Sequence, residues 1–219
     1  MTPEQLAPKI EHTNLRADAT ESDIRRTCRE ALEYGFGAVV VNPVWVATAA
    51  EVVSGSTVRL VTVAGFPLGA SRTETKIVEA VRGAIDGAAE IDLVINLGRL
   101  RAGDYAGVED EIAQVRRMLP TGTTLKVIIE ASFFDRRQQV EAVRAVINGG
   151  AEFVKTGTGF QEGATVEQVQ TLCEAAEGLL QVKAAGAIRT PQQCFDLLDA
   201  GAARLGCSAS VNIMKALTS

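Results

Sequence analysis

The stretch "GGAEFVKTGTGFQEG", residues 149–163, contains a complete short strand with both of its flanks. Gly149 and Gly150 read as the end of a helix, and Glu152-Phe153-Val154 as a short, buried strand. The strand delivers Lys155 into a glycine-rich turn, an unusual place for a strongly hydrated cation. "LLQVKAAGAIRT", residues 179–190, repeats the arrangement with Lys183 and then opens a helix behind Thr190 and Pro191. Strand, glycine turn and helix, twice in succession, is the signature of consecutive βαβ units.

The same rhythm runs outward from this stretch along the whole chain. Clear strand candidates are 38–41, 58–63, 90–96, 124–129, 152–155 and 180–185, with weaker ones at 9–12 and 203–206. Helical stripes lie between them: Ile24, Cys28 and Ala31 within 21–34, then Ile77, Val78, Val81 and Ile85. Val108, Ile112, Val115 and Leu119 form a third, and Val140, Val143 and Ile147 a fourth, behind a candidate cap at Asp135. Eight such units predict a (β/α)8 TIM barrel forming a single domain over residues 1–219, with a short N-terminal segment before the first strand. A doubly wound open sheet is the competing architecture, because the weakest strands are the first and the last.

Composition narrows the function classes. Hydrophobic residues make up 47% of the 219 positions and aromatic ones 5%, so Ala, Val, Ile and Leu build the core. A net charge of −5 without any basic block argues against nucleic-acid or anionic-membrane binding. Cys28, Cys173, Cys194 and Cys207 show no CxxC spacing and read as free thiols. The N-terminus "MTPEQLAPKIEHT" has no apolar signal core, and no run is apolar enough to span a membrane. A cytoplasmic protein is expected.

In a barrel the chemistry sits at the C-terminal strand ends. Those ends carry Glu11, His12 and Thr13, the Asp92–Asn96 segment, Glu130, Lys155, Lys183, and Gly206 to Ser208. The structural reading of the lysines is a set of buried ion pairs with Asp92, Glu130 or Glu11. The functional reading starts from repulsion, because two neighbouring ammonium groups in a dry site destabilise each other. An ordinary lysine is only about 0.04% neutral at pH 7, whereas one brought to roughly pKa 7–8 can attack a carbonyl and form an imine. One histidine, His12, and no HxH or HExxH spacing argue against a zinc site, and neither metal nor organic cofactor is expected. A carboxylate-only site from Glu11, Asp92 and Glu130 is the metal alternative. The glycines after strands six, seven and eight could each serve only a tight turn, but three such motifs on adjacent strands support a phosphorylated substrate.

Taken together, "IEHTNL", "VNPVWV", "GFPLGAS", "EIDLVINLGRL", "KVIIEAS", "FVKTGTGF", "VKAAGAIRT" and "RLGCSAS" resemble, in order, the motifs of the bacterial deoxyribose-phosphate aldolase family. The resemblance covers about residues 10–211. It implies a metal-independent class I aldolase that reversibly cleaves 2-deoxy-D-ribose 5-phosphate to acetaldehyde and D-glyceraldehyde 3-phosphate. It makes Lys155 the Schiff-base nucleophile, Lys183 the cation that depresses its pKa, and Asp92 a proton shuttle working with Lys183. It places the phosphate on Gly159, Gly186, Gly206 and Ser208, with Glu11, Thr13 and Thr158 as further substrate contacts. The implied partners are small phosphorylated sugars and aldehydes, with neither nucleic acid nor membrane, and a homodimer is expected. Another imine-forming or transaldolase-like enzyme, and a non-catalytic sugar-phosphate binding barrel, are the competing readings.

The sequence departs from the family pattern in five places. Glu11 stands where an aspartate is usual, Gly157 where a serine is usual, and Ala187 where a second glycine is usual. Val41 replaces a frequent cysteine, and the tail "MKALTS" lacks the tyrosine found in some members.

Overall fold

The computed structural model describes residues 1–218. Eight strands lie in chain order around one closed sheet. They are β1 (Ile10–Asn14), β2 (Ala38–Val41), β3 (Arg59–Ala64), β4 (Glu90–Val94), β5 (Thr124–Ile128), β6 (Phe153–Lys155), β7 (Gln181–Ala185) and β8 (Arg204–Cys207). Every pairing is parallel, and β1 closes on β8 through Ile10↔Leu205, Glu11↔Gly206 and His12↔Cys207. That closing ladder excludes the open doubly wound sheet and gives the (β/α)8 barrel.

Alternation along each strand sorts the side chains into two layers. Val39, Val41, Ile91, Leu93, Val127, Val154, Val182 and Leu205 face outward into one large core shared with the helices. Inside, β2 and β3 contribute an apolar cluster of Ala38, Val40, Val61 and Val63, covered by Leu15 and Phe66. The interior also holds a charged cluster: Glu11, Glu90, Asp92, Lys126, Lys155 and Lys183 are all buried. The barrel is thus packed with hydrocarbon on one side and with ion pairs on the other.

The outer ring consists of α1 (Glu21–Tyr34), α2 (Val46–Val53), α3 (Thr73–Ile85), α4 (Tyr105–Met118), α5 (Arg136–Asn148), α6 (Val166–Ala176), α7 (Pro191–Asp199) and α8 (Ser210–Thr218). Short helical pieces at Pro3–Leu6 and Leu97–Arg101 supplement it. Caps form where side-chain oxygens can reach free N–H groups. Asp135 accepts from the Gln138 N–H at 2.8 Å, and Thr190 accepts from the Gln193 N–H at 3.2 Å with Pro191 opening α7. No described helix is long and apolar enough to cross a membrane.

The apolar stripes of α1 and α4 face the sheet as their periodicity predicts, with Ile24, Cys28, Ala31, Val108, Ile112 and Val115 fully buried. Helix α3 does not follow its stripe. Val78 and Ile85 are each 67% exposed, while Lys76, Ala80 and Gly83 are buried. Small residues explain the rotation: a Cβ on Gly83 would lie 2.6 Å from Thr62 Cγ2, so α3 rests directly on β3. Lys76 is accepted into that face because its Nζ donates to Glu111 Oε1 of α4 at 2.9 Å.

Candidate active site

A cavity of about 730 Å³ opens at the C-terminal ends of the strands. Thr13, Thr158, Gly159, Gly186, Gly206 and Ser208 line it, as does Lys155. Register explains the convergence. Lys155 is the last residue of β6 and pairs with Lys183 of β7, so both side chains project inward at one level. Asp92 sits in the middle of β4 and reaches the same level from across the barrel. Of the substrate contacts implied by the sequence, Glu11 alone does not line the cavity; it lies among the buried charges beneath.

The polar half of the interior is a continuous ladder of ion pairs. Lys155 Nζ donates to Asp92 Oδ2 at 2.8 Å, and Lys183 Nζ donates to the same oxygen at 2.7 Å. Lys183 also pairs with Glu11. Lys126, from the middle of β5, donates to Asp92 Oδ1 at 3.1 Å and to Glu11 Oε2 at 3.3 Å, and pairs with Glu90 at 2.5 Å. Arg204 donates to both Glu90 oxygens at 2.8 and 2.9 Å and to Glu11 at 3.3 Å. The structural reading of the lysines is therefore correct as geometry, with Asp92 and Glu11 as partners and Glu130 elsewhere.

Burial sets the charge states. Lys155 is 3% exposed, and desolvation brings its pKa down from 10.5 to about 8. Asp92 opposes that fall and Lys183 assists it, so the second lysine contributes less than burial does. Burial would raise Asp92, but the ammonium groups of Lys126, Lys155 and Lys183 outweigh it and hold the carboxyl well below its usual range. Burial likewise opposes the ionisation of Glu11, while Lys126 and Lys183 bring it to about 2. Lys126 resists desolvation because Asp92, Glu11 and Glu90 surround it, and its pKa is raised. The result is one amine near neutrality beside carboxylates that stay ionised.

The mouth loops are fastened from behind. Glu130, in a left-handed conformation with φ 50°, follows β5 and accepts from the Thr158 N–H at 3.1 Å and its hydroxyl at 2.7 Å. The other oxygen, Oε1, has no hydrogen-bond partner among the described residues. It points at Gly157, where an added Cβ would lie 2.5 Å away. Gly159 and Gly186 touch backbone to backbone, since a Cβ on Gly186 would be 3.3 Å from Gly159 Cα. Ala187 takes a left-handed φ of 56° at the rim, a conformation that glycine adopts more readily.

A dry, strand-end lysine hydrogen-bonded to an ionised aspartate and opening on a glycine-walled cavity is equipped for carbonyl chemistry. Comparison with known proteins decides the family, because the model of the DeoC/LacD family aldolases matches residues 8–206. The chain belongs to that family. This aldolase is 45% identical over 219 residues to the deoxyribose-phosphate aldolase of Aciduliprofundum boonei, spanning 99% of both chains. It is 46% identical over 210 residues to that of Deinococcus radiodurans, spanning 95% of both. The solved deoxyribose phosphate aldolase of Aeropyrum pernix, described as a unique tetramer, superposes with a TM-score of 0.91 at 33% identity. That match covers 100% of this chain and 93% of the other.

As an aldolase, the chain is a lyase that makes and breaks carbon–carbon bonds. The expected residues Lys155, Lys183 and Asp92 are brought together, and Glu11 joins them from the first strand. Lys126 was not among the residues singled out from sequence. Its signal was present: a lysine inside the apolar run "TLKVII", at an inward position two residues before Ile128. Glu90 and Arg204 carry a similar signal, each a charge at the first position of its strand. His12 is buried, borders the cavity and has its Nε2 2.9 Å from Glu30 Oε2.

Proposed function

We propose that this aldolase reversibly cleaves 2-deoxy-D-ribose 5-phosphate to acetaldehyde and D-glyceraldehyde 3-phosphate through a Schiff base on Lys155. The observation that carries the reading is Lys155 itself, the one lysine lining the cavity among the described residues, with its pKa brought to about 8 and its Nζ on Asp92. The relatives named deoxyribose-phosphate aldolase support the substrate class.

Neutral Lys155 attacks the C1 aldehyde, and loss of water leaves a protonated imine that serves as an electron sink. The 3-hydroxyl gives up its proton, the C2–C3 bond breaks, and D-glyceraldehyde 3-phosphate departs. The remaining enamine takes a proton at C2, and water then hydrolyses the imine to release acetaldehyde and free amine. Asp92 and Lys183 share one hydrogen bond behind the nucleophile and are placed to exchange protons with it. The phosphate rests on backbone groups at Gly159, Gly186 and Gly206 and on the Ser208 hydroxyl, where small residues allow close approach. Thr13 and Thr158 border the sugar, and Glu11 acts through Lys183. The same reading has one domain that works without metal or organic cofactor, in the cytoplasm and as a homodimer.

Borohydride reduction in the presence of acetaldehyde, followed by peptide mass mapping, tests the chemistry. A two-carbon adduct on Lys155 is expected, along with complete loss of cleavage in Lys155→Ala. An adduct confined to other lysines would sink the mechanism.

A further inference from the structure

Glu90 is the first residue of β4, at the end of the barrel opposite the cavity, and only 1% of it is exposed. Asp92 lies two positions further along the same strand, roughly 6–7 Å nearer the mouth. Three cations converge on the Glu90 carboxylate: Lys126 from β5 at 2.5 Å, Arg204 from β8 at 2.8 Å, and Arg59 Nε from β3 at 2.8 Å. No part of Glu90 reaches the cavity.

The sign of the buried charge gives this carboxylate its importance. Inside the barrel, Lys126, Lys155, Lys183 and Arg204 face Glu11, Glu90 and Asp92, four cations against three anions. Arg59, 44% exposed at its side chain, adds a further, solvent-screened cation at the base. Charge balance in the interior is reached when one cation is neutral. Among the four, Lys126 is held by three carboxylates and Lys183 by two, whereas Lys155 has Asp92 alone within ion-pair distance. The least-held cation is the one that opens on the substrate.

We propose that Glu90 is a positioning residue for the aldol site: it keeps Lys126 charged and seated between Asp92 and Glu11, and so fixes the field in which Lys155 ionises. The contact runs Glu90–Lys126–Asp92–Lys155, each link a hydrogen bond or ion pair between buried groups. Glu90 touches no reacting atom, and its influence is electrostatic. Removing its charge leaves four cations against two anions, which disfavours protonated Lys155. Removing Arg59 does the reverse. This inference rests on the Schiff-base reading and extends it to the far end of the barrel.

The test follows the pH dependence of cyanoborohydride trapping by acetaldehyde, read as adduct on Lys155 by mass spectrometry, beside the pH profile of kcat/KM. In Glu90→Gln the trapping midpoint should move to lower pH by about half a unit to one unit, the scale of one charge roughly 10 Å away in a protein interior. Glu90→Asp should return it towards the parent value. Arg59→Gln, a substitution at a half-exposed site, should move it upward by a few tenths of a unit at low ionic strength. It carries the test alone if Glu90→Gln does not fold. A uniform loss of rate in Glu90→Gln with an unmoved midpoint would mean a structural role and overturn the proposal. So would an upward shift in that variant, or an unmoved midpoint in Arg59→Gln. Absence of any Lys155 adduct in the unaltered protein would instead overturn the Schiff-base reading itself.

Discussion

Gly157 shows how far one atom can alter a fastening. Glu130 uses one oxygen to hold both the N–H and the hydroxyl of Thr158, the residue immediately after Gly157, and its other oxygen, facing Gly157, is left without a partner. A side chain at 157 brings Cβ to 2.5 Å from that oxygen, so the carboxylate must swing. A serine repairs what it disturbs, because its hydroxyl can donate to Oε1, while an alanine only disturbs. Gly157→Ser should therefore melt as a protein about 1 kcal/mol more stable than Gly157→Ala. Equal melting temperatures for the two would show that Oε1 gains nothing from a donor. The glycine was conspicuous in the sequence by comparison with the family pattern. Its physical meaning was hidden, because the partner lies on the preceding strand's loop and only coordinates bring the two together.

At the scale of elements, periodicity located every strand to within a few residues and the stripes of α1 and α4 on the correct face. It failed on α3, where the inward face is made of Ala80, Gly83 and an ion-paired lysine. A hydrophobic pattern counts apolar carbon, and close packing through small residues contributes none. The Lys76–Glu111 pair that replaces it joins α3 to α4, and Glu111 Oε2 also accepts from the Asn96 N–H, just beyond β4, at 2.8 Å. Burial lowers the Lys76 pKa while Glu111, and to a smaller extent Glu79, oppose that fall, so the lysine depends chiefly on its hydrogen-bonded partner Glu111. Glu111→Ala should cost about 3–5 kcal/mol in urea unfolding, by leaving a buried cation unpaired. Adding Lys76→Met should recover most of the loss. If the double variant is no more stable than Glu111→Ala, the unpaired charge is not the cause.

Across the whole molecule, the barrel interior holds a hydrocarbon cluster and a charged cluster, and Lys155, the proposed nucleophile, belongs to the charged cluster, which carries an excess cation. That arrangement opposes stability. The Lys155 pKa falls from 10.5 to about 8 on folding, so below pH 8 the folded chain carries the full penalty of a buried ammonium. Between pH 8 and 10.5 the unfolded chain binds more protons than the folded one, so stability rises with pH and the penalty disappears. Lys155→Met should consequently gain on the order of 2–3 kcal/mol at pH 7 and progressively less towards pH 10. An equal gain at both pH values would contradict the assigned charge state. Lys155, Lys183 and Asp92 were legible because they stand in recognisable motifs, although only Lys155 ends its strand and the other two lie in mid-strand. Lys126, Glu90 and Arg204 were not, because a lone charge within an apolar strand acquires meaning only once the inward positions of eight strands are known together.

The closing ladder between β1 and β8 has a consequence in time. Glu11 meets Lys183 and Arg204 across sequence separations of 172 and 193 residues, and Glu11 pairs with Gly206 only when the ring is shut. A chain still emerging from the ribosome holds Lys155 before it has Lys183, Arg204 or the seam that encloses them. Contacts of such range are slow to form, because the long loop must be closed before any of them rewards it. The lowered pKa of Lys155, on which the proposed Schiff-base chemistry relies, therefore arises late, when the last strand docks, and a partly made chain keeps an ordinary, protonated lysine until then.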